Sequence, residues 1–400
     1  MRVVVNGLSA VGPRTGVGYY TTELTAALQR QADADTSIDL FRPDWLGGAK
    51  AWLRRLRGRI EKPTAALPGA AARSGWKARW FDRLRRLGLE VYRWNFRRRV
   101  RAGKFDLYHE PSFFPIACDV PTVVSVHDLS VLLHPEWHPA DRVAQYQREF
   151  ERNLSRAVHV VAISDHGRQE IIRTLGLPGD RVTRTHLGVR DGLRPLPSDE
   201  VQERLAALGL PPRYLLHVGT IEPRKNLLML LRAYCALPVT VRLRNPLVLA
   251  GGWGWKSEDV RDYLHQEARH RGVHYLGYTD EADLAVLYNG ARALLFPSHY
   301  EGFGLPTIEM FACGGAVLAS TAGAVAETAG RRACLIDPND LAGWRDAMER
   351  VCTDDDWWKE LRRDAVEAAR PYTWDRCAAQ TLDIYARVLH GAPTRQLRAA

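Results

Sequence analysis

Short apolar runs recur along this chain, each separated from the next by a longer amphipathic stretch, and that alternation most narrows the folds open to it. In the first half the runs are Arg2 to Val5, Ile38 to Phe41, Leu107 to His109, Thr122 to Val126, Val158 to Ala162 and Val182 to His186. A polar, proline-containing stretch from Arg194 to Pro212 reads as an interdomain region. After it come Tyr214 to Val218, Leu247 to Ala250, Val273 to Leu276, Ala293 to Phe296, Ala316 to Ala319 and Cys334 to Ile336. Runs this short, bounded by turn residues, are strands, and strands alternating with helices build a parallel, doubly wound α/β sheet. The expected fold class is therefore α/β, with two such halves facing a cleft.

A length of 400 residues, 46% hydrophobic and 26% charged, suffices for two separate cores. No run of about 18 or more apolar residues occurs, so no spanning helix is expected. Arg2 leads directly into a strand, which is unlike a secretory leader, and a cytoplasmic location is expected. Cys118, Cys235, Cys313, Cys334, Cys352 and Cys377 lack C-x-x-C spacing, as reduced thiols do.

The stretch from Tyr300 to Glu309, Y-E-G-F-G-L-P-T-I-E, speaks most directly to function. Ala293 to Phe296 reads as a buried strand ending at Pro297, and Thr307 onward reads as a packed helix start, so the Gly-rich turn sits at a strand's carboxyl end. There the N–H groups of Phe303, Gly304 and Leu305 can point at phosphate oxygens, helped by a helix dipole equivalent to roughly half a positive charge. Glu301 and Glu309 cannot bind phosphate themselves. Beside a diphosphate they are tolerable only as acceptors for neutral hydroxyls, which a nucleotide sugar carries on both ribose and hexose. The competing reading makes Glu301 a solvated loop residue and Glu309 a first-turn carboxylate favoured by the dipole.

Three further pieces point the same way. After Tyr214 to Val218, Arg224 and Lys225 occupy a turn where a guanidinium fork and an ammonium can clamp a diphosphate; a solvated basic helix start is the alternative, disfavoured by the dipole. Near the amino end, Gly16 and Gly18 permit close backbone approach to a phosphate or sugar, although G-V-G can also be a plain loop. Thr21 stands where a third glycine would complete G-x-G-x-x-G, so no nicotinamide cofactor is implied. Thr122 to Val126 ends in His127-Asp128, where open α/β sheets place ligand groups; His127 is otherwise a structural histidine, and Asp128 is positioned to orient its ring. A metal site from His127, Asp128, His134 and His138 is not expected, because Pro135 and Pro139 break the helix an i, i+4 histidine pair needs.

The E-x7-E spacing around G-F-G-L-P resembles the signature of the retaining glycosyltransferases of family 4, which have the GT-B fold of two facing Rossmann-like domains. The resemblance extends over most of the chain. It implies an acceptor-binding domain over 1–195, a nucleotide-sugar-binding domain over 196–372, and a terminal helix within 373–400 that crosses back to the first domain. It further implies that Arg224 and Lys225 neutralise the leaving nucleoside diphosphate, that the Gly16–Gly18 loop approaches the donor phosphates, and that Glu309 holds the ribose. Glu301 would hold the hexose hydroxyls, with His127 on the sugar's other side. The runs around Gly16, His127 and Arg224 look most like bacterial mannosyltransferases of exopolysaccharide or O-antigen assembly. That likeness implies GDP-mannose as donor, a polyprenyl-diphosphate-linked oligosaccharide as acceptor, and neither a metal nor another cofactor. Glucosyl, rhamnosyl or N-acetylglucosaminyl transfer stays open, as does an epimerase or phosphorylase on the same fold, and a binder without catalysis.

Charge is unevenly placed. Lys50 to Lys104 holds 18 Lys or Arg against Glu61, Asp82 and Glu90, whereas the remainder of the chain is net negative. Trp52, Leu53, Leu56, Trp76, Trp80, Phe81, Leu84, Leu87, Val91, Trp94 and Phe96 recur there at partly helical spacing. Apolar stripes beside arginine faces suit an anionic membrane surface, here the inner face of the plasma membrane. A stripe packed on the domain core, with solvated arginines, is the alternative. Nucleic acid is not expected as a partner, because no nucleic-acid-binding motif surrounds the segment.

Overall fold

The computed structural model of the chain describes residues 1–11, 16–42 and 75–391. It contains two six-stranded sheets. The first comprises β1 (Arg2–Asn6), β2 (Ser37–Phe41), β3 (Leu107–Glu110), β4 (Thr122–Val126), β5 (Ala157–Ala162) and β6 (Val182–Arg184), in the order β2-β1-β3-β4-β5-β6. The second comprises β7 (Tyr214–Val218), β8 (Leu247–Ala250), β9 (Val273–Gly277), β10 (Ala291–Phe296), β11 (Val317–Ser320) and β12 (Cys334–Ile336), in the order β12-β11-β10-β7-β8-β9. Neighbouring strands run parallel in both, with helices between them in sequence. This is the doubly wound α/β arrangement expected from the alternation of apolar runs.

Burial follows position in the sheet. Every residue of β7, β8, β10 and β11 is buried, because helices cover both faces of a parallel sheet, and these strands read as unbroken apolar runs. The edge strands β2 and β9 are only partly buried, and β9 alternates His274 and Leu276 outward. Residues of the β7 to β11 sheet face two cores, one holding Leu216, Phe296 and Phe311, the other Leu215, Leu295 and Trp344. Each such side chain removed from water is worth about 1.5–3 kcal/mol.

In both sheets the direction of winding reverses, between β1 and β3 in the first and between β7 and β10 in the second. Ligands of open α/β sheets bind outside the carboxyl ends of the strands at such a reversal, because the flanking loops diverge there. The turns bearing Arg224-Lys225 and Glu301 follow β7 and β10, the two strands at the second reversal.

By density of contacts the chain divides into two units, one of Met1–Ser125, Glu151–Val160 and Thr381–Ala400, the other of Val126–Phe150 and Val161–Gln380. Within the first, Tyr385, on the later part of the helix Trp374–His390, has its hydroxyl 2.5 Å from Nδ1 of His109. The polar stretch from Arg194 to Pro212 contains a helix, Ser198–Ala207, with Asp199 and Glu200 in its first turn and Arg204 in its last, the charge order that suits a helix dipole. Trp52, Leu53 and Leu56 of the basic segment lie outside the described residues, while Gly75–Gly103 forms one long helix. Among the described residues no helix is long and apolar enough to cross a membrane.

Candidate active site

The two motif turns are stitched together before any ligand arrives. After β7 a short turn, Pro223–Lys225, ends at Asn226 in the left-handed region (φ 56°), and the helix Leu227–Cys235 follows. Asn226 Nδ2 donates to the carbonyls of Pro297 (3.2 Å) and Pro338 (2.6 Å), and the His299 N–H donates to the Arg224 carbonyl at 2.8 Å. These bonds hold the β7 and β10 turns in fixed register, so side chains 76 positions apart in sequence can meet.

They meet at Glu301. Its carboxylate, only 6% exposed, accepts from Arg224 Nη1 at 2.8 Å, Lys225 Nζ at 2.5 Å and Ser298 Oγ at 2.7 Å. Arg224 Nε is taken by Glu222 Oε1 at 2.6 Å. Burial pushes the Glu301 carboxyl up, but the Arg224 and Lys225 charges outweigh it and hold it below the usual carboxylate range. Burial likewise opposes the charge on Arg224, yet Glu301, Glu222 and Asp128 raise its pKa well above the ordinary value. The result is two cations, immobilised and charged, at the carboxyl end of a parallel sheet. Glu222, Ser298 and the pairing itself were not foreseen from the sequence; a carboxylate two residues before Arg224 was the available signal.

The Gly-rich turn is as tight as its composition demands. A methyl group on Gly302 would lie 1.8 Å from the carbonyl oxygen of His127, which makes this position impassable to any other residue. Gly304, at φ 98°, caps the helix Leu305–Ala312 in a conformation that L side chains rarely adopt. The Phe303 carbonyl accepts from Thr328 Oγ1 (2.9 Å) and the Gly304 carbonyl from Thr307 Oγ1 (2.7 Å). Pro306 has no N–H and the Thr307 N–H donates to the Gly304 carbonyl at 3.0 Å, so within the first turn it is the Leu305 N–H that the helix start can offer an anion.

Glu309 sits one helical turn on and is fully buried. Arg190 Nε lies 2.8 Å from its Oε1, and the Tyr288 hydroxyl donates to Oε2 at 2.8 Å. The sequence showed neither partner, because both come from distant parts of the chain.

His127 and Asp128 directly follow β4 and pack on the Gly302 turn, where the Gly302 Cβ position lies 3.1 Å from Asp128 Cβ. Asp128 was expected to orient the His127 ring. Its Oδ1 accepts from the N–H (2.9 Å) and hydroxyl (2.6 Å) of Ser130, closing a local turn, while Arg224 and His127 act on it through charge. Burial raises the Asp128 pKa, but Arg224 and Ser130 more than offset this and leave it low. Tyr300 completes the wall: its hydroxyl donates to Glu170 and accepts from the Leu129 N–H at 3.1 Å.

Gly16 and Gly18 belong to the other unit. Gly16 opens the helix Gly16–Gln31 and is exposed, whereas a Cβ on Gly18 would lie 2.9 Å from the Ser9 carbonyl oxygen, a close approach of backbone to helix. Gly12 to Thr15 lie outside the described residues. Among the described residues one cluster, Asp165, His186 and Glu327, brings three potential metal ligands within 4.8 Å. Its Glu327 already accepts from the N–H groups of Asp165 and His166 and pairs with His186 Nε2 at 2.8 Å, which caps the helix Asp165–Leu175.

Comparison with known proteins agrees with this geometry. Residues 202–371 match the model of the group 1 glycosyl transferases, and residues 14–192 that of Glycosyltransferase Family 4. The O-antigen chain mannosyltransferase B of Escherichia coli is 34% identical over 310 residues, covering 76% of this chain and 81% of that protein. A serotype-specific mannosyltransferase WbdA of the same species is 32% identical over 289 residues, covering 69% of this chain but 35% of the longer relative. Among solved structures, Anabaena HepE in complex with UDP and glucose superposes with a TM-score of 0.69 at 18% identity, over 96% of this chain and 99% of that one.

Proposed function

The chain belongs to the family 4 glycosyltransferases with the GT-B fold and is a hexosyltransferase, and from that premise we propose that it moves α-mannose from GDP-mannose onto a polyprenyl-diphosphate-linked oligosaccharide, with retention of configuration. The observation that carries the reading is the Arg224–Lys225–Glu301 cluster at the carboxyl ends of β7 and β10. The mannosyl donor is supported by the likeness to the O-antigen chain mannosyltransferase B of Escherichia coli, 34% identical.

In this reading the diphosphate displaces part of the Glu301 salt bridges and takes the two cations. Charge develops on the leaving phosphate oxygen as the C1–O bond breaks, and Arg224, Lys225 and the amides at Gly304 meet it without reorganising. Glu301, freed on one oxygen, accepts from hexose hydroxyls, and His127 faces the sugar from the Gly302 turn. Glu309 holds the ribose, which requires Arg190 to yield part of the carboxylate it now faces. The acceptor hydroxyl enters on the face the diphosphate leaves, its proton passing to the departing phosphate oxygen. Two cations and a helix start supply the charge a metal would otherwise provide, so none is needed.

A lipid-linked acceptor calls for a membrane-facing surface. On the helix Gly75–Gly103, Leu87, Val91 and Trp94 are 56%, 47% and 57% exposed at i, i+4, i+7 spacing, and the Arg98 guanidinium stands 5.6 Å from the Trp94 ring. Phe96 and Val100 on the opposite face are buried in the domain core, so the stripe is not what holds this helix to the protein. We assign the stripe to an anionic lipid surface, where each nearby Lys or Arg contributes on the order of 1 kcal/mol. Incubation with GDP-mannose and other sugar nucleotides, followed by analysis of the anomeric linkage formed on a lipid-linked acceptor, tests the reading. Preferred turnover of GDP-mannose to an α-linkage is expected, and exclusive use of another donor would refute the mannosyl assignment.

A further inference from the structure

His138 stands beside the candidate site but has no part in the mechanism above. It follows the short turn Pro135–Trp137 and is 3% exposed, yet neither Nδ1 nor Nε2 has a hydrogen-bond partner among the described residues. Leaving both nitrogens of a buried imidazole unpaired is costly, and such groups mark places where a ligand completes the bonding. The ring is held in place by its surroundings. It lies 6.0 Å from the Trp255 ring; Trp255 Nε1 donates to the Trp137 carbonyl at 2.8 Å, and Lys256 Nζ donates to the Glu136 carbonyl at 2.7 Å. The turn that carries His138 is therefore pinned on both sides of Trp137.

The charged groups acting on His138 are Arg142, Asp128, Glu222 and Arg224, and the adjacent Trp137 ring lies 6.1 Å from that of His299, which precedes Tyr300 in the chain. His217, also buried and with Nε2 unpaired among the described residues, instead feels Lys225 and Glu301. Burial first, then the Arg142 charge, lowers the His138 pKa, so the ring is neutral and offers one N–H and one lone pair. Phosphate oxygens only accept and ammonium groups only donate. A hydroxyl does both, and it is the group that satisfies a neutral imidazole at either nitrogen. Nearby aromatic faces suit a sugar ring: His134 stacks on Trp137 at 4.0 Å, and His299 follows at 6.1 Å.

We propose that His138 is a binding residue for a hydroxyl of the acceptor glycan, a role that rests on the transferase reading above. Two variants test it, His138→Leu, which removes both polar atoms at similar bulk, and His138→Gln, which keeps one donor and one acceptor. With GDP-mannose and a short α-mannoside acceptor, His138→Leu raises the acceptor KM about tenfold, as loss of one hydrogen bond implies. His138→Gln recovers most of that loss. The dissociation constant for GDP-mannose and the slow hydrolysis of donor by water stay within about twofold in both variants, by the same accounting of a single acceptor contact. Because neither nitrogen has a hydrogen-bond partner among the described residues, Tm of His138→Leu does not fall, whereas a structural histidine would lower it. An unchanged acceptor KM, or a donor affinity that falls in its place, would overturn the role. Failure of the unmodified chain to transfer from any sugar nucleotide would instead remove the reading beneath it.

Discussion

Two buried glutamates occupy matching places and live in opposite electrostatic worlds. Glu110 ends β3 beside the winding reversal of the first sheet, and Glu301 follows β10 beside the reversal of the second. Glu110, 2% exposed, accepts among the described residues from neutral groups: Asn6 Nδ2 at 2.6 Å, the Tyr108 hydroxyl, and the N–H and hydroxyl of Ser112. Burial pushes its carboxyl up to about 7 despite those donors. Glu301, equally hidden, faces two cations and is driven low. The same residue at the same kind of strand end is thus a structural knot of raised pKa in one unit and a charged latch in the other. A latch that holds cations is what a diphosphate can replace; a knot of neutral donors is not.

Substitution of the latch should have the largest effect. Glu301→Gln leaves Arg224 and Lys225 with less than their present compensation. Transfer assayed with saturating donor should fall by about 10²–10³, the cost of losing one transition-state contact of this kind. The ligand-free protein should lose about 3–5 kcal/mol in urea, as for other broken buried ion pairs. Retained turnover would make Glu301 a structural knot like Glu110. Gly302→Ala, which forces a methyl against the His127 carbonyl, should cost more than about 2 kcal/mol by thermal denaturation, since backbone must move.

The comparison also has a pH signature. The folded pKa of Glu110 lies above its unfolded value near 4.5, so its contribution to stability is complete below pH 4.5 and is lost as pH rises through about 7. The loss amounts to about 3 kcal/mol at most. Glu301 behaves in the opposite sense, stabilising above pH 4.5 and failing as pH drops through its lowered value. Denaturant titrations at pH 5 and pH 8 should therefore show Glu110→Gln flattening the decline toward alkaline pH while leaving the acid limb alone. A decline of unchanged slope would move the titrating group elsewhere. The smallest expected effect is that of chelation: EDTA should leave the transfer rate within about twofold, because Arg224 and Lys225 already meet the developing charge. A rate abolished by EDTA and restored by Mg²⁺ would make the latch incomplete.

Much of this arrangement was legible in the sequence, and what was not has a physical cause. All twelve strands were readable because parallel strands covered on both faces are mostly apolar runs, as Tyr214 to Val218, with His217 within it, and Thr122 to Val126, with Ser125, show. Their ends shifted by a residue or two, as in β3, which runs on to Glu110, and β6, which stops at Arg184. The helix Ser198–Ala207 was obscured by its polar face and flanking prolines. At the site, motif spacing pointed to Glu301, Arg224 and Lys225 but not to their mutual pairing, since contact between positions 76 apart depends on strand order. Arg190, Tyr288 and His138 had no motif at all; only burial and the identity of their neighbours distinguish them.

The central claim is that Arg224 and Lys225 are held in readiness for a diphosphate, and calorimetric titration with GDP tests it most directly. The unmodified chain should bind GDP with an affinity that weakens as salt is raised, and the Arg224→Ala, Lys225→Ala double variant should bind at least about a hundredfold more weakly, as expected when two charge-assisted contacts are lost. Equal affinity in the two proteins would place the diphosphate elsewhere and contradict the account.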